Sequence, residues 1–105
     1  MTQAYYEPDA YQFILVNNSI VKLFSSWSGS YLSGDAYRVN SGTQEIVEKE
    51  CHYLVYGYSG SVYKLRKTAV HMNAYCQGVL NQILENEQVK EITIEQAVEF
   101  LKEGN

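Results

Sequence analysis

The stretch CHYLVYGYSGSVYKLRK, Cys51–Lys67, decides the fold class. It contains two runs rich in Tyr and Val, CHYLVYGY and SVYKLRK, joined at Gly57–Gly60. Tyr and Val form strands and Ser-Gly-Ser forms turns, so the segment predicts a β-hairpin. Directly after it the apolar period changes. Ala69, Met72, Cys76, Val79, Leu80 and Ile83 fall three and four residues apart, which is one stripe of a helix. Thr68 is the expected N-cap of that helix, and Gly78 weakens its middle.

Towards the N-terminus, residues 1–10, with Pro8, read as a lead-in whose order depends on docking. YQFILV, NNS and IVKLFSSW then predict strand, tight turn and strand, because Asn17 and Asn18 tolerate the left-handed angles a short hairpin needs. Ser28–Gly42 carries three Ser-Gly pairs around one short strand candidate, AYRV. Gln44–Glu48 is polar enough for an edge strand. Towards the C-terminus, Thr93-Ile94-Glu95-Gln96 fits a capping box, in which the Thr hydroxyl and the Gln side chain each satisfy a backbone N–H of the other. Ile94, Ala97, Val98 and Leu101 then form a buried helical face, and Gly104 ends the helix.

Strands first and helices last predict an α+β fold, an antiparallel sheet of about four to six strands followed by two C-terminal helices. The 105 residues make one domain: a lead-in over 1–10, mainly β over 11–67, and mainly α over 68–105.

Composition narrows the function classes. At 46% apolar and 19% charged, the chain is an ordinary globular one. Its anomaly is ten Tyr, a residue suited to half-exposed sheet faces and to interfaces. No apolar run is long enough to span a membrane, and the start MTQAYYEPDA has no basic region leading into an apolar one, so a cytoplasmic protein without membrane partners is expected. Cys51 and Cys76 are accordingly expected as free thiols. The net charge of −4 argues against duplex nucleic acid as a partner. It is unevenly spread: Cys51–Leu84 holds Lys64, Arg66 and Lys67 and no acidic residue, whereas Glu85 onward holds six Glu against Lys90 and Lys102. Glu91, Glu95, Glu99 and Glu103 recur every four residues, either as a solvated acidic face or as a docking strip for a basic partner.

Motifs for catalysis are weak. Gly57-Tyr58-Ser59-Gly60-Ser61 imitates a nucleophile elbow, but a strand pattern follows where the elbow needs a helix. Cys51, His52, His71 and Cys76 lack the close pairing of a structural zinc site, so no metal and no cofactor are expected. No catalytic residue is assigned. The Ser-Gly-Ser pieces, Ser28-Gly29-Ser30 and Ser59-Gly60-Ser61, are turns first. Their amides and hydroxyls, with Lys64 nearby, are also the candidate cradle for a phosphate.

The segments WSGSYLSGDAYRVNSG and YGYSGSVYKL, within residues 20–80, resemble parts of small proteins encoded by bacteriophages and prophages, and the chain is similar in build to anti-defence proteins such as anti-CRISPRs. That resemblance implies a non-enzymatic inhibitor that binds a bacterial immune effector in the host cytoplasm, or a sponge that sequesters a signalling nucleotide. For the inhibitor, the candidate contacts are aromatics and cations near the hairpin tips: Trp27, Tyr31, Arg38, Tyr56, Tyr58, Tyr63 and Arg66. A third reading is a self-assembly module, a homodimer or larger, whose Tyr-rich edge strand pairs with its own copy.

Overall fold

A computed structural model describes residues 5–27, 36–68 and 71–103. Within them the chain forms β1 (Tyr5–Tyr6), β2 (Ala10–Val16), β3 (Ile20–Trp27), β4 (Ala36–Val39), β5 (Thr43–Glu48), β6 (His52–Gly57), β7 (Val62–Arg66), α1 (Ala74–Leu84), β8 (Val89–Ile92) and α2 (Ile94–Glu103). This is the α+β fold expected, an antiparallel-rich arrangement with both helices in the C-terminal part.

The strands divide between two four-stranded sheets, which the periodicity did not separate. A central sheet has the order β4-β3-β2-β8 and an outer sheet the order β1-β7-β6-β5. All described pairs are antiparallel except β1–β7, where Tyr5 lies opposite Val62 and Tyr6 opposite Tyr63. The lead-in therefore docks as a strand. A further strand, β8, interrupts the predicted helical third and pairs with β2, Val89 opposite Val16 and Ile92 opposite Phe13.

The layers follow from side-chain parity. On β2, Phe13 and Leu15 point one way and Ile14 and Val16 the other, since successive strand residues alternate between faces. Phe13 joins Val21, Leu23, Val55, Tyr63, Leu65 and Ala97 in the core between the two sheets. Ile14 joins Phe24, Cys76 and Leu80 in a second core, between the central sheet and α1. The central sheet is thus covered on both faces, which is why FILV runs without a polar break. α2 closes the side of the sandwich, with Ile94, Phe100 and Leu101 packed against the first core. Phe100 takes a core place that the expected face had not included.

Local chemistry sets the boundaries. Asn17 and Asn18 have φ of 54° and 55°, as a tight β2–β3 turn requires. The N-cap of α1 is Asn73, not Thr68: its Oδ1 accepts from the Cys76 N–H at 2.8 Å. Asn exceeds Thr as a cap, and the helix begins five residues later than the stripe suggested, Met72 reaching the second core from outside it. Ala69 and Gly104 lie outside the described residues. The capping box is formed: the Gln96 N–H donates to Thr93 Oγ1 at 3.1 Å and the Thr93 N–H to Gln96 Oε1 at 2.8 Å.

The chain crosses from the central to the outer sheet at Asn40, which is buried. Its backbone N–H donates to the Leu23 carbonyl at 3.1 Å and its Oδ1 accepts from the Leu23 N–H at 2.8 Å, so one residue completes the ladder of β3. Its Nδ2 donates to Thr43 Oγ1 at 3.1 Å, fixing the start of β5. Gly42 between them has φ +150°, and a Cβ there would fall 2.7 Å from the Tyr58 ring. Among the described residues, no helix is long and apolar enough to cross a membrane.

Candidate functional site

The expected contact residues separate into three places. Ser28, Gly29, Ser30 and Tyr31 lie outside the described residues.

At one corner of the sandwich, Trp27, Arg38 and Tyr63 come together around Tyr6, a residue the sequence had not singled out. The Tyr6 and Tyr63 rings stack at 5.0 Å, and Tyr6 meets Trp27 edge-on at 6.1 Å. Arg38 Nε donates to the Tyr63 hydroxyl at 3.1 Å, and its guanidinium lies 4.7 Å above the Tyr6 ring. Trp27 Nε1 donates to the Glu7 carbonyl at 3.0 Å. Tyr63 is fully buried, so its role as a partner contact is corrected: it is a core residue whose one polar atom is satisfied by Arg38. On β7 it alternates with the outward Val62 and Lys64 and faces the central sheet.

At the β6–β7 tip, Tyr58 is 65% exposed and stands with the exposed Ile20 over Gly42. The Ser59-Gly60-Ser61 turn closes on the strand end before it. The Gly57 N–H donates to Ser61 O at 2.9 Å, the Tyr58 N–H to Gly42 O at 3.0 Å and the Gly60 N–H to Gly57 O at 3.1 Å. Ser61 is buried, and its Oγ lies 3.5 Å from that of Ser59. Those three amides are therefore committed within the protein rather than presented to an anion.

The third place is the outer face of the outer sheet. Across it, Tyr5, Val62, Tyr56 and Glu45 form one row, and Lys64, Leu54 and Val47 the next. Arg66 stands opposite His52, with its guanidinium 3.4 Å from Asp9. Val47, Leu54 and Tyr56 are half-buried and belong to neither core cluster, whereas Val62 beside them is buried. Sheets with one face in water normally alternate apolar and polar residues. Here β6 and β5 instead keep Leu54, Tyr56 and Val47 outward, beside the cations Lys64 and Arg66. Tyr56 and Arg66 were expected as partner contacts and Lys64 as part of the phosphate cradle; Leu54 and Val47 were not singled out. The signal was present in HYLVYG, whose apolar residues do not alternate.

A groove of about 530 Å³ runs along α2, lined by Glu48, Tyr53, Ile94, Val98 and the carboxylates of Glu95, Glu99 and Glu103, with Lys102. Val98, expected in the core, lies on this wall. At the groove, Lys67 Nζ donates to Glu48 Oε2 at 2.7 Å and sits 5.1 Å from the Tyr53 ring centroid. That hydrogen bond raises the Lys67 pKa above its usual value. Nearby, burial and then Tyr53 raise the pKa of Tyr11, whose hydroxyl donates to the Arg66 carbonyl at 2.8 Å.

Cys51 is exposed and Cys76 buried, and both are free thiols. Among the described residues, no three His, Cys, Asp or Glu side chains stand close enough together to hold a metal ion. No protein-family model, no curated protein and no solved structure matches this chain, so its function is argued from its own residues.

Proposed function

We propose that this protein acts without catalysis, by binding another protein through the outer face of its outer sheet. The observation that carries the reading is the apolar group Tyr5, Tyr56, Leu54 and Val47 on one face of the outer sheet, with Tyr5 exposed and the other three half-buried around the buried Val62. Tyrosines on such a face bury large areas at little entropic loss while keeping a hydrogen-bonding tip. Lys64 and Arg66 border the patch, so a partner with an acidic rim is the complementary one. The narrower form of this reading, an inhibitor of a bacterial immune effector, rests on the sequence resemblance alone, since no known protein matches the chain.

The test is native mass spectrometry of the tagged protein drawn from a bacterial lysate with active defence systems, beside its Leu54→Thr/Lys64→Glu variant. The expected result is a stoichiometric complex with an immune effector that the variant loses. A complex that survives in the variant would overturn the assignment of the face. A bound mass of a few hundred daltons on the protein would instead favour the nucleotide sponge. A bare oligomer of this chain, lost in the variant, would favour self-assembly.

A further inference from the structure

The groove along α2 differs in sign from the outer face and stands apart from it. Its floor is apolar, formed by Tyr53, Ile94 and Val98, and its rim is carboxylate, formed by Glu48, Glu95, Glu99 and Glu103. At about 530 Å³ it has room for several side chains. We propose that this groove is a docking site for a basic amphipathic segment of a partner protein, with its Lys or Arg side chains on the Glu rim and its apolar side chains on the Tyr53–Ile94–Val98 floor.

Two features besides the charge point to a cationic occupant. The first is the Lys67 ammonium, which lies against Glu48 and over Tyr53 at the groove wall. It shows a cation held by an ion pair on one side and an aromatic face on the other, and it leaves Glu95, Glu99 and Glu103 as the carboxylates open to an occupant. The second is the like-charge spacing within α2 itself. Glu95, Glu99 and Glu103 follow one another at i, i+4 on a helix spanning Ile94–Glu103, where like charges repel. Glu99 and Glu103 also approach the helix C-terminus, whose dipole disfavours carboxylates. Lys102 lines the groove and offsets part of this, but four carboxylates face it and Lys67. A basic segment relieves both repulsions, and its apolar side chains cover a floor that is otherwise wet.

The experiment uses the whole protein, ¹⁵N-labelled, titrated with a blocked hexapeptide of alternating lysine and leucine, with a lysine–serine hexapeptide as control. The expected outcome is amide shift changes confined to α2 and Tyr53, and binding of the leucine peptide about tenfold tighter than the serine peptide. Glu95→Gln/Glu99→Gln should weaken the leucine peptide about fivefold, by removing two rim charges. That variant changes only exposed positions, so it folds. Equal affinity for both peptides would reduce the site to diffuse charge and overturn the proposal. So would shifts on another face, unchanged affinity in the double variant, or self-association at higher concentration that produces the groove shifts without peptide. The Leu54→Thr/Lys64→Glu variant should bind the leucine peptide as the parent does, whatever becomes of the outer face.

Discussion

β2 and β6 carry the same kind of sequence and meet different fates. FILV in β2 and LVY in β6 are both unbroken apolar runs. In β2 each side chain finds cover inside the molecule, Phe13 against the outer sheet and Ile14 against α1. In β6 only the alternate residues do: Tyr53 and Val55 face the inter-sheet core, while Leu54 and Tyr56 face outward and join neither core. An apolar run therefore reports that two faces want burial. It does not report whether the chain itself buries the second one. Where it does not, the unburied face is the first place to look for a partner.

The sharpest way to break the comparison is to empty the covered face of the central sheet. Phe24 is fully buried there and stacks on Tyr37 at 5.5 Å. Phe24→Ala should destabilise the protein by roughly 3–5 kcal/mol, read from the urea midpoint at an unchanged slope. An effect as small as that of a surface substitution would mean that α1 does not cover this face.

The junction between the sheets comes next. Asn40→Ala strands the Leu23 N–H and the Thr43 hydroxyl, and should cost about 2–4 kcal/mol by chemical denaturation. Asn40→Asp, which keeps the acceptor for Leu23, should recover part of that loss.

Between the two sheets, Ser25 shares the inward parity of Val21 and Leu23 and has a buried hydroxyl with no hydrogen-bond partner among the described residues. Ser25→Ala is expected to raise stability by about 1 kcal/mol, seen as a higher Tm. A fall would show that the hydroxyl is satisfied in solution.

Tyr11 crosses the same interface to the Arg66 carbonyl. Its folded pKa is raised above the ordinary 10.0, so folding favours the protonated phenol. This contribution is fully present below about pH 10 and is lost as the pH rises through the folded value. Tyr11→Phe should cost about 0.5–1.5 kcal/mol at neutral pH and make the alkaline fall in stability shallower. An alkaline profile identical to the parent's would remove Tyr11 as its source.

The smallest expected effect concerns the open face. Leu54→Thr should change stability by about 0.5 kcal/mol or less, because the residue packs in neither core and Thr keeps strand propensity. A loss of 2 kcal/mol or more would show that the face is covered within the molecule itself, and would remove it as a docking surface.

Elements with a self-contained signal were legible in the sequence. The β2–β3 turn is readable because two consecutive Asn tolerate positive φ, and the start of α2 because Thr93 and Gln96 satisfy each other's backbone. β1 and β8 were not legible: the equally short β4 is marked off by Ser-Gly pairs on both sides, whereas β1 and β8 have no such brackets and are held as strands only by their neighbours, β7 and β2. The candidate site was half legible. Tyr56, Lys64 and Arg66 fall on one face, yet Tyr63, two residues from the turn and identical in type, is buried, because only the approach of the central sheet decides which parity of β7 is the inside.

By itself, then, the sequence determined the fold class, the tight turns, the capping box of α2 and the separation of charge between the middle and the end of the chain. These depend on residues close in sequence, whose backbone preferences and spacing act locally. Tertiary structure alone decided that there are two sheets, that α1 covers only one of them, and that the Glu repeat of α2 borders an apolar groove. Those outcomes depend on which surfaces meet across long sequence separations, where the free energy comes from apolar area removed from water and local pattern carries no record of the partner.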